Sequence, residues 1–185
     1  NGATIKINGV DQKTELVPGS YARLETKWKQ GDVVELVLPM LLKKEDWSNN
    51  RNSVSINYGP LTFSLKIGES YKQMDSKKSA IGDSKWQENV DQTQWPAYEI
   101  YPTSMWNYGL VLNDQPLESQ FKLIKKPWPA DDFPFTQDAV PFVLKATGKI
   151  IPEWVLDKYG LCDVLPQSPV SVSTKEQPIE LVPMG

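Results

Sequence analysis

The chain has 185 residues, of which 39% are hydrophobic, with 15 prolines and 11 glycines, so it is long enough to bury a core in one domain and reads as a loop-rich globule rather than a disordered chain. A formal charge of -3 and a pI of about 5.1 leave no broad basic footprint, which excludes nucleic acid and an acidic membrane surface as partners. Histidine is absent and Cys162 is the single cysteine, which excludes Ser-His-Asp and Cys-His catalysis, imidazole-built zinc sites and an internal disulfide.

No apolar run approaches the roughly 20 residues of a spanning helix. The first residues, Asn1 to Ile5, enter a strand pattern without an initiator methionine or a basic leader, so the chain is expected to be a piece of a longer protein. Cys162 is expected to be a small buried hydrophobe, the common state of a free cysteine.

In chain order, Ala3, Ile5 and Ile7 alternate with Thr4, Lys6 and Asn8, and Asn8-Gly9 follows as a hairpin turn. Residues 21–28 keep strict period two, with Ala22, Leu24, Thr26 and Trp28 opposite Tyr21, Arg23, Glu25 and Lys27. A turn at 29–32 leads to Val34, Leu36, Leu38 and Met40, so a second hairpin is expected between 21–28 and 33–40.

Residues 41–52 carry Lys43, Lys44, Glu45 and Asp46 and read as a polar loop. Strand periodicity returns at Val54, Ile56 and Tyr58 and resumes at Leu61, Phe63, Leu65 and Ile67; Gly59-Pro60 between them is either a bend in one strand or a connection between two. Residues 68–94 read as a long polar excursion with one short helix near 84–90.

Residues 95–109 concentrate two tryptophans and three tyrosines around two prolines. Beyond them, Leu110 and Leu112, residues 121–125, and Val140 to Ala146 form short strand patterns, separated by the proline-rich stretch 126–134. Residues 150–159 fit neither period. Val170 with Val172, and Ile179 with Leu181, suggest two final strands. About ten short strands without an amphipathic helix predict an all-β fold, an antiparallel β-sandwich with long loops and little helix; an open barrel is the competing shape.

Several local strings carry a resemblance. Ile5 to Gly9, Gly19 to Tyr21, Trp28 with Gly31 to Leu36, Leu38 to Met40 and Tyr58 to Leu61 resemble the region that follows the catalytic barrel in the β-L-arabinofuranosidase-like proteins, glycoside hydrolase family 127. Tyr98 to Ser104, Trp106 to Gly109, Trp154, Leu156 to Cys162 and Leu165 to Ser168 extend the likeness over nearly the whole chain.

The resemblance implies a single accessory β-sandwich, residues 1–185, attached to an (α/α)6 barrel that holds the chemistry. That barrel would be its partner within the parent chain. The family's catalytic glutamate and zinc-binding cysteines belong to the barrel, so no catalytic, metal or cofactor residue carries over, and one thiol at Cys162 cannot form such a site. Relatives have a further strand beyond each end, so exposed sheet edges are expected here.

Glycoside hydrolysis ordinarily needs two carboxyl groups flanking one bond. Glu99, Asp131, Asp132, Glu153, Asp157 and Asp163 stand in aromatic or proline-rich contexts, yet their density is that of ordinary loop charges. Asp131 and Asp132 also suggest a cation site, but without an EF-hand spacing. The aromatic stretch is the stronger candidate. Trp95, Tyr98, Tyr101, Trp106 and Tyr108, with Asn107 as a hydroxyl partner, are the residues expected to offer a sugar-stacking platform for a plant-type glycan, or else to pack inside the domain or against the barrel.

Overall fold

The computed structural model describes residues 2–75 and 91–184. The expected helix near 84–90 lies outside them. Twelve strands and one short helix form an all-β, antiparallel fold in three sheets among the described residues.

The first sheet contains β1 (Thr4–Ile7), β2 (Val10–Asp11) and β3 (Val34–Val37) in the order β2-β1-β3. Asn8 and Gly9 both take positive φ, 51° and 77°, as a type I′ hairpin requires. The expected hairpin between 21–28 and 33–40 does not form: residues 21–28 carry no strand, and β3 pairs antiparallel with β1 instead.

A local clamp accounts for that choice. The Asn8 side chain donates to Asp32 Oδ1 at 3.0 Å and accepts from the Val33 amide at 2.9 Å, while the Lys29 amide donates to Asp32 Oδ2 at 2.7 Å. The 29–32 turn is therefore tied to the β1–β2 turn, which aligns β3 with β1. Period two in 21–28 licensed an extended chain but could not name its neighbour.

The second sheet holds β4 (Leu42–Trp47), β5 (Ser53–Tyr58), β6 (Leu61–Leu65), β9 (Tyr108–Leu110), β10 (Lys122–Lys125), β11 (Phe142–Ile150) and β12 (Gln177–Pro183). Its order is β10-β11-β12-β6-β5-β4, with β9 beside the far half of β11. This sheet curls into a half-barrel.

Register decides which side is inside. Leu144 faces Leu181, Ala146 faces Ile179, Ile56 faces Phe63 and Leu123 faces Leu144, so one face of every strand supplies the concave core. Leu144 and Ile56 are fully buried there. Each such side chain contributes roughly 1.5–3 kcal/mol relative to exposure. The helix α1 (Leu117–Gln120) enters β10 and places Phe121 in the same core.

The convex face carries polar pairs, with Lys145 opposite Glu180 at 3.7 Å. A second small cluster, Val143, Val182 and Ile124, is covered there by Val140.

Three further sequence expectations change. Residues 41–52 are not all loop: β4 runs through the charged stretch and forms an edge hairpin with β5, Lys44 bridging to Asp46 at 2.8 Å, a composition that suits an unpaired outer edge. The polar excursion after Gly68 contains β7 (Glu69–Met74), which pairs with β8 (Ala97–Pro102) as a separate two-stranded ribbon.

Val170 and Val172 form no strand. That segment instead lies along the mouth of the half-barrel, where the Ser168 amide donates to the Arg51 carbonyl at 2.9 Å. Gly59-Pro60 proves to be a tight connection between β5 and β6; a Cβ on Gly59 would meet Met40 Cγ at 2.9 Å, so the site requires glycine for space as well as for its φ of 57°.

Candidate functional site

The six candidate residues of 95–109 divide between two sheets. Trp95 precedes β8 and is 72% exposed. Tyr98 and Tyr101 sit three positions apart in β8, so the pleat sends them to opposite faces of the ribbon. Tyr98 meets Tyr71 edge-on, ring centroids 6.2 Å apart; Tyr101 donates to Glu99. Each of these hydrogen-bonded tyrosines, Tyr101 with Glu99 and Tyr71 with Glu69, has its pKa raised, first by the bond to the carboxylate and also by that carboxylate's charge.

Trp106, Asn107 and Tyr108 belong to the half-barrel. Trp106 is half-buried and packs edge-on against Trp154 with centroids 5.0 Å apart. Asn107 is buried and bonds to Ile151 twice, its side-chain amide donating to the Ile151 carbonyl at 2.9 Å and its own carbonyl accepting from the Ile151 amide at 2.8 Å. Its Oδ1 is buried without a partner. Tyr108, in β9, packs on the core and donates its hydroxyl to Gln177 at 2.8 Å. These three fasten the β9 region to β12 and to the segment just past β11, whereas Trp95, Tyr98 and Tyr101 stand on the separate ribbon.

Four of the six candidate carboxylates, besides Glu99 with its Tyr101 bond, are engaged locally. Asp131 accepts from the Phe133 amide, Asp132 from the Trp128 indole, Asp157 from the amides of Tyr159 and Leu161, and Asp163 from its neighbour Val164. They organise turns in two places, Asp131 and Asp132 in the loop before β11 and Asp157 and Asp163 in the segment after it. No group of three or more His, Cys, Asp or Glu able to hold a metal occurs among the described residues. Cys162 is exposed, contrary to expectation, because it lies in the irregular segment after β11, where it bridges to Leu156.

Two features take their form only from the fold. One is the loop 126–141 between β10 and β11. It closes with the Lys126 amide on the Pro141 carbonyl at 2.8 Å and is pinned by Lys66, whose ammonium meets Asp138 at 2.5 Å and lowers the pKa of that carboxyl, by hydrogen bonding first and charge second. Against β6 and β12 this loop encloses a cleft of about 670 Å³. Exposed Trp128, Phe133 and Phe135 crowd the loop, the two phenylalanines edge-on at 5.3 Å. Four prolines in 127–141 give this loop a stiff backbone able to hold rings out of the core.

The other is the first sheet. Ile5 is its one buried hydrophobic side chain; Val34, Leu36 and Val37 of β3 are all exposed, as are the neighbouring Tyr21, Trp28, Val33, Leu38 and Leu41.

This unburied sheet is also the part with a recognisable relative. Residues 1–40 match the family model described as "Beta-L-arabinofuranosidase, GH127 middle domain". The resemblance seen in the sequence is thereby supported over those residues, while the similar strings from Tyr58 onward lie outside the match. No curated protein matches the chain. A solved structure titled "Glycoside hydrolase" aligns with 99% of this chain at 23% identity and a TM-score of 0.49. The chain spans 23% of that protein's length.

Proposed function

We propose that the chain is a non-catalytic accessory β-domain of a family 127-like glycoside hydrolase, and that its first sheet docks on the catalytic barrel of the parent protein. The observation that carries this reading is the apolar surface of 21–41. Large hydrophobic side chains are exposed together there, in the segment similar to a domain of multidomain hydrolases. Monomeric proteins rarely leave contiguous apolar patches beyond a few hundred Å² uncovered.

The local roles of the carboxylates agree with it, since groups spent on turn amides are not poised across a glycosidic bond. The test is twofold. The purified chain is expected to show no turnover of aryl arabinofuranosides, and to bind an apolar dye that is displaced by the parent protein's barrel. Turnover abolished by a single carboxylate-to-amide change would overturn the reading.

A carbohydrate-binding role at 95–109 is the second reading, favoured by the exposure of Trp95, Tyr98 and Tyr101. Its platform would be restricted to one face of the β7–β8 ribbon, with Trp95 or Tyr98 rather than Trp106 as the stacking ring. Saturable glycan binding that disappears in Trp95→Ala would support it; binding lost only in Trp106→Ala would not, because that change also unpacks Trp154.

A further inference from the structure

The cleft under the 126–141 loop has a composition that neither reading uses. Its walls are apolar, including Phe135, Phe142 and Val182, and its volume of about 670 Å³ lies within the 300–1,000 Å³ range of small-ligand sites. Its polar lining is Asp132, Thr136 and Gln137 on the loop side and Ser64 on β6, and Asp132 is the one charged group among them.

Asp132 fixes Trp128, one of the two exposed large rings of the cleft. Its Oδ1 accepts from the Trp128 indole N–H at 2.5 Å, which locks the ring's orientation and leaves Oδ2 for another donor. The aspartate holds this position in a left-handed backbone conformation, φ 57°, which aspartate tolerates better than most residues other than glycine. Trp128 is 59% exposed and Phe135 69%, so two aromatic faces flank a carboxylate at the mouth of an apolar cleft.

We propose that this cleft is a binding subsite for a neutral sugar ring. The ring's C–H face stacks on Trp128, and one hydroxyl donates to Asp132 Oδ2. A wholly apolar ligand would strip water from the carboxylate without replacing its hydrogen bonds, which is costly. An anionic one would be repelled by the Asp132 carboxylate. A neutral sugar satisfies both the apolar wall and the acceptor, as amphipathic ligands of aromatic sites do.

The site is independent of the docking surface, and it lies on a different loop from the ribbon of the second reading. Saturation-transfer NMR of the full chain with arabinobiose, xylobiose and cellobiose at millimolar concentration tests it. At least one disaccharide is expected to bind saturably, with affinity falling at least about tenfold in Trp128→Ala, the loss of one stacked aromatic contact.

Asp132→Gly, which suits the positive φ but removes the carboxylate, is expected to weaken binding while leaving the amide spectrum of β11 and β12 unchanged. Trp95→Ala should bind as the parent chain does. Unchanged affinity in Trp128→Ala, or no saturable signal from any of the three sugars, overturns the proposal. Binding lost in Trp95→Ala and retained in Trp128→Ala also overturns it and moves the sugar to the ribbon. The docking reading is untouched by these outcomes, because its readouts are dye displacement and catalysis rather than sugar binding.

Discussion

The first sheet and the half-barrel are built from strands of similar sequence, alternating or nearly continuous β-branched and apolar residues, yet they end in opposite states. In the half-barrel the concave faces of β5, β6, β11 and β12 bury Ile56, Phe63, Leu144, Ala146, Ile179 and Leu181 against one another. In the first sheet only Ile5 is buried, and β3 shows all four of its residues to solvent. Curvature makes the difference. Six strands in a continuous path curl far enough to cover their own inner face, whereas three short strands cannot, and their apolar side needs a surface from elsewhere.

The sharpest way to break this contrast is in the core. Leu144→Ala is expected to cost about 2–5 kcal/mol, read as a shift in the urea midpoint, because a fully buried leucine leaves a cavity between β10, β11 and β12. If the two sheets are as unequal as their burial implies, Ile5→Ala acts locally. Hydrogen exchange should show lost protection at Ile5 to Ile7 with that of β11 intact, and a global loss would show that the first sheet is part of the main cooperative unit.

A smaller effect is expected from Leu36→Ser. It should leave stability within about 0.5 kcal/mol, as for surface changes generally, while lowering apolar-dye binding measurably. A large destabilisation would mean that β3 is already covered in the isolated chain.

The smallest effect concerns Asp32, whose pKa is lowered, first by the Asn8 hydrogen bond and then by the Lys29 amide. A folded-state pKa below the unfolded one contributes stability at pH above the unfolded value, about 4 for an aspartate, and loses it as pH falls through the folded value. Amide protection of the 29–33 turn should therefore decline only below about pH 4, and Asp32→Asn should make it flat across that range. A decline beginning near neutrality would assign the turn's stability to another group.

The 95–109 stretch shows what density of aromatic residues does and does not reveal. Composition located a real feature, but the pleat placed Tyr98 and Tyr101 on opposite faces, and pairing drew Tyr108 into the half-barrel while β8 joined β7. Loop 126–141 was legible as stiff, through its prolines, but not as one wall of a cleft. The other wall comes from β6 and β12, distant in sequence.

By itself the sequence determined the class of this protein: antiparallel β, little helix, a type I′ turn at Asn8-Gly9, and the apolar faces of β5, β6, β11 and β12. Those properties are local, set by period two and by which residues tolerate positive φ. It also determined the family resemblance of the first forty residues. Only the tertiary structure decided the neighbours. It chose β1 over 21–28 as the partner of β3, made an edge strand of the charged stretch in β4, and moved the uncovered apolar surface to the start of the chain. Pairing is a contest between segments far apart, settled by side-chain clamps such as Asn8 with Asp32 and by sheet curvature, and no stretch of residues carries that outcome alone.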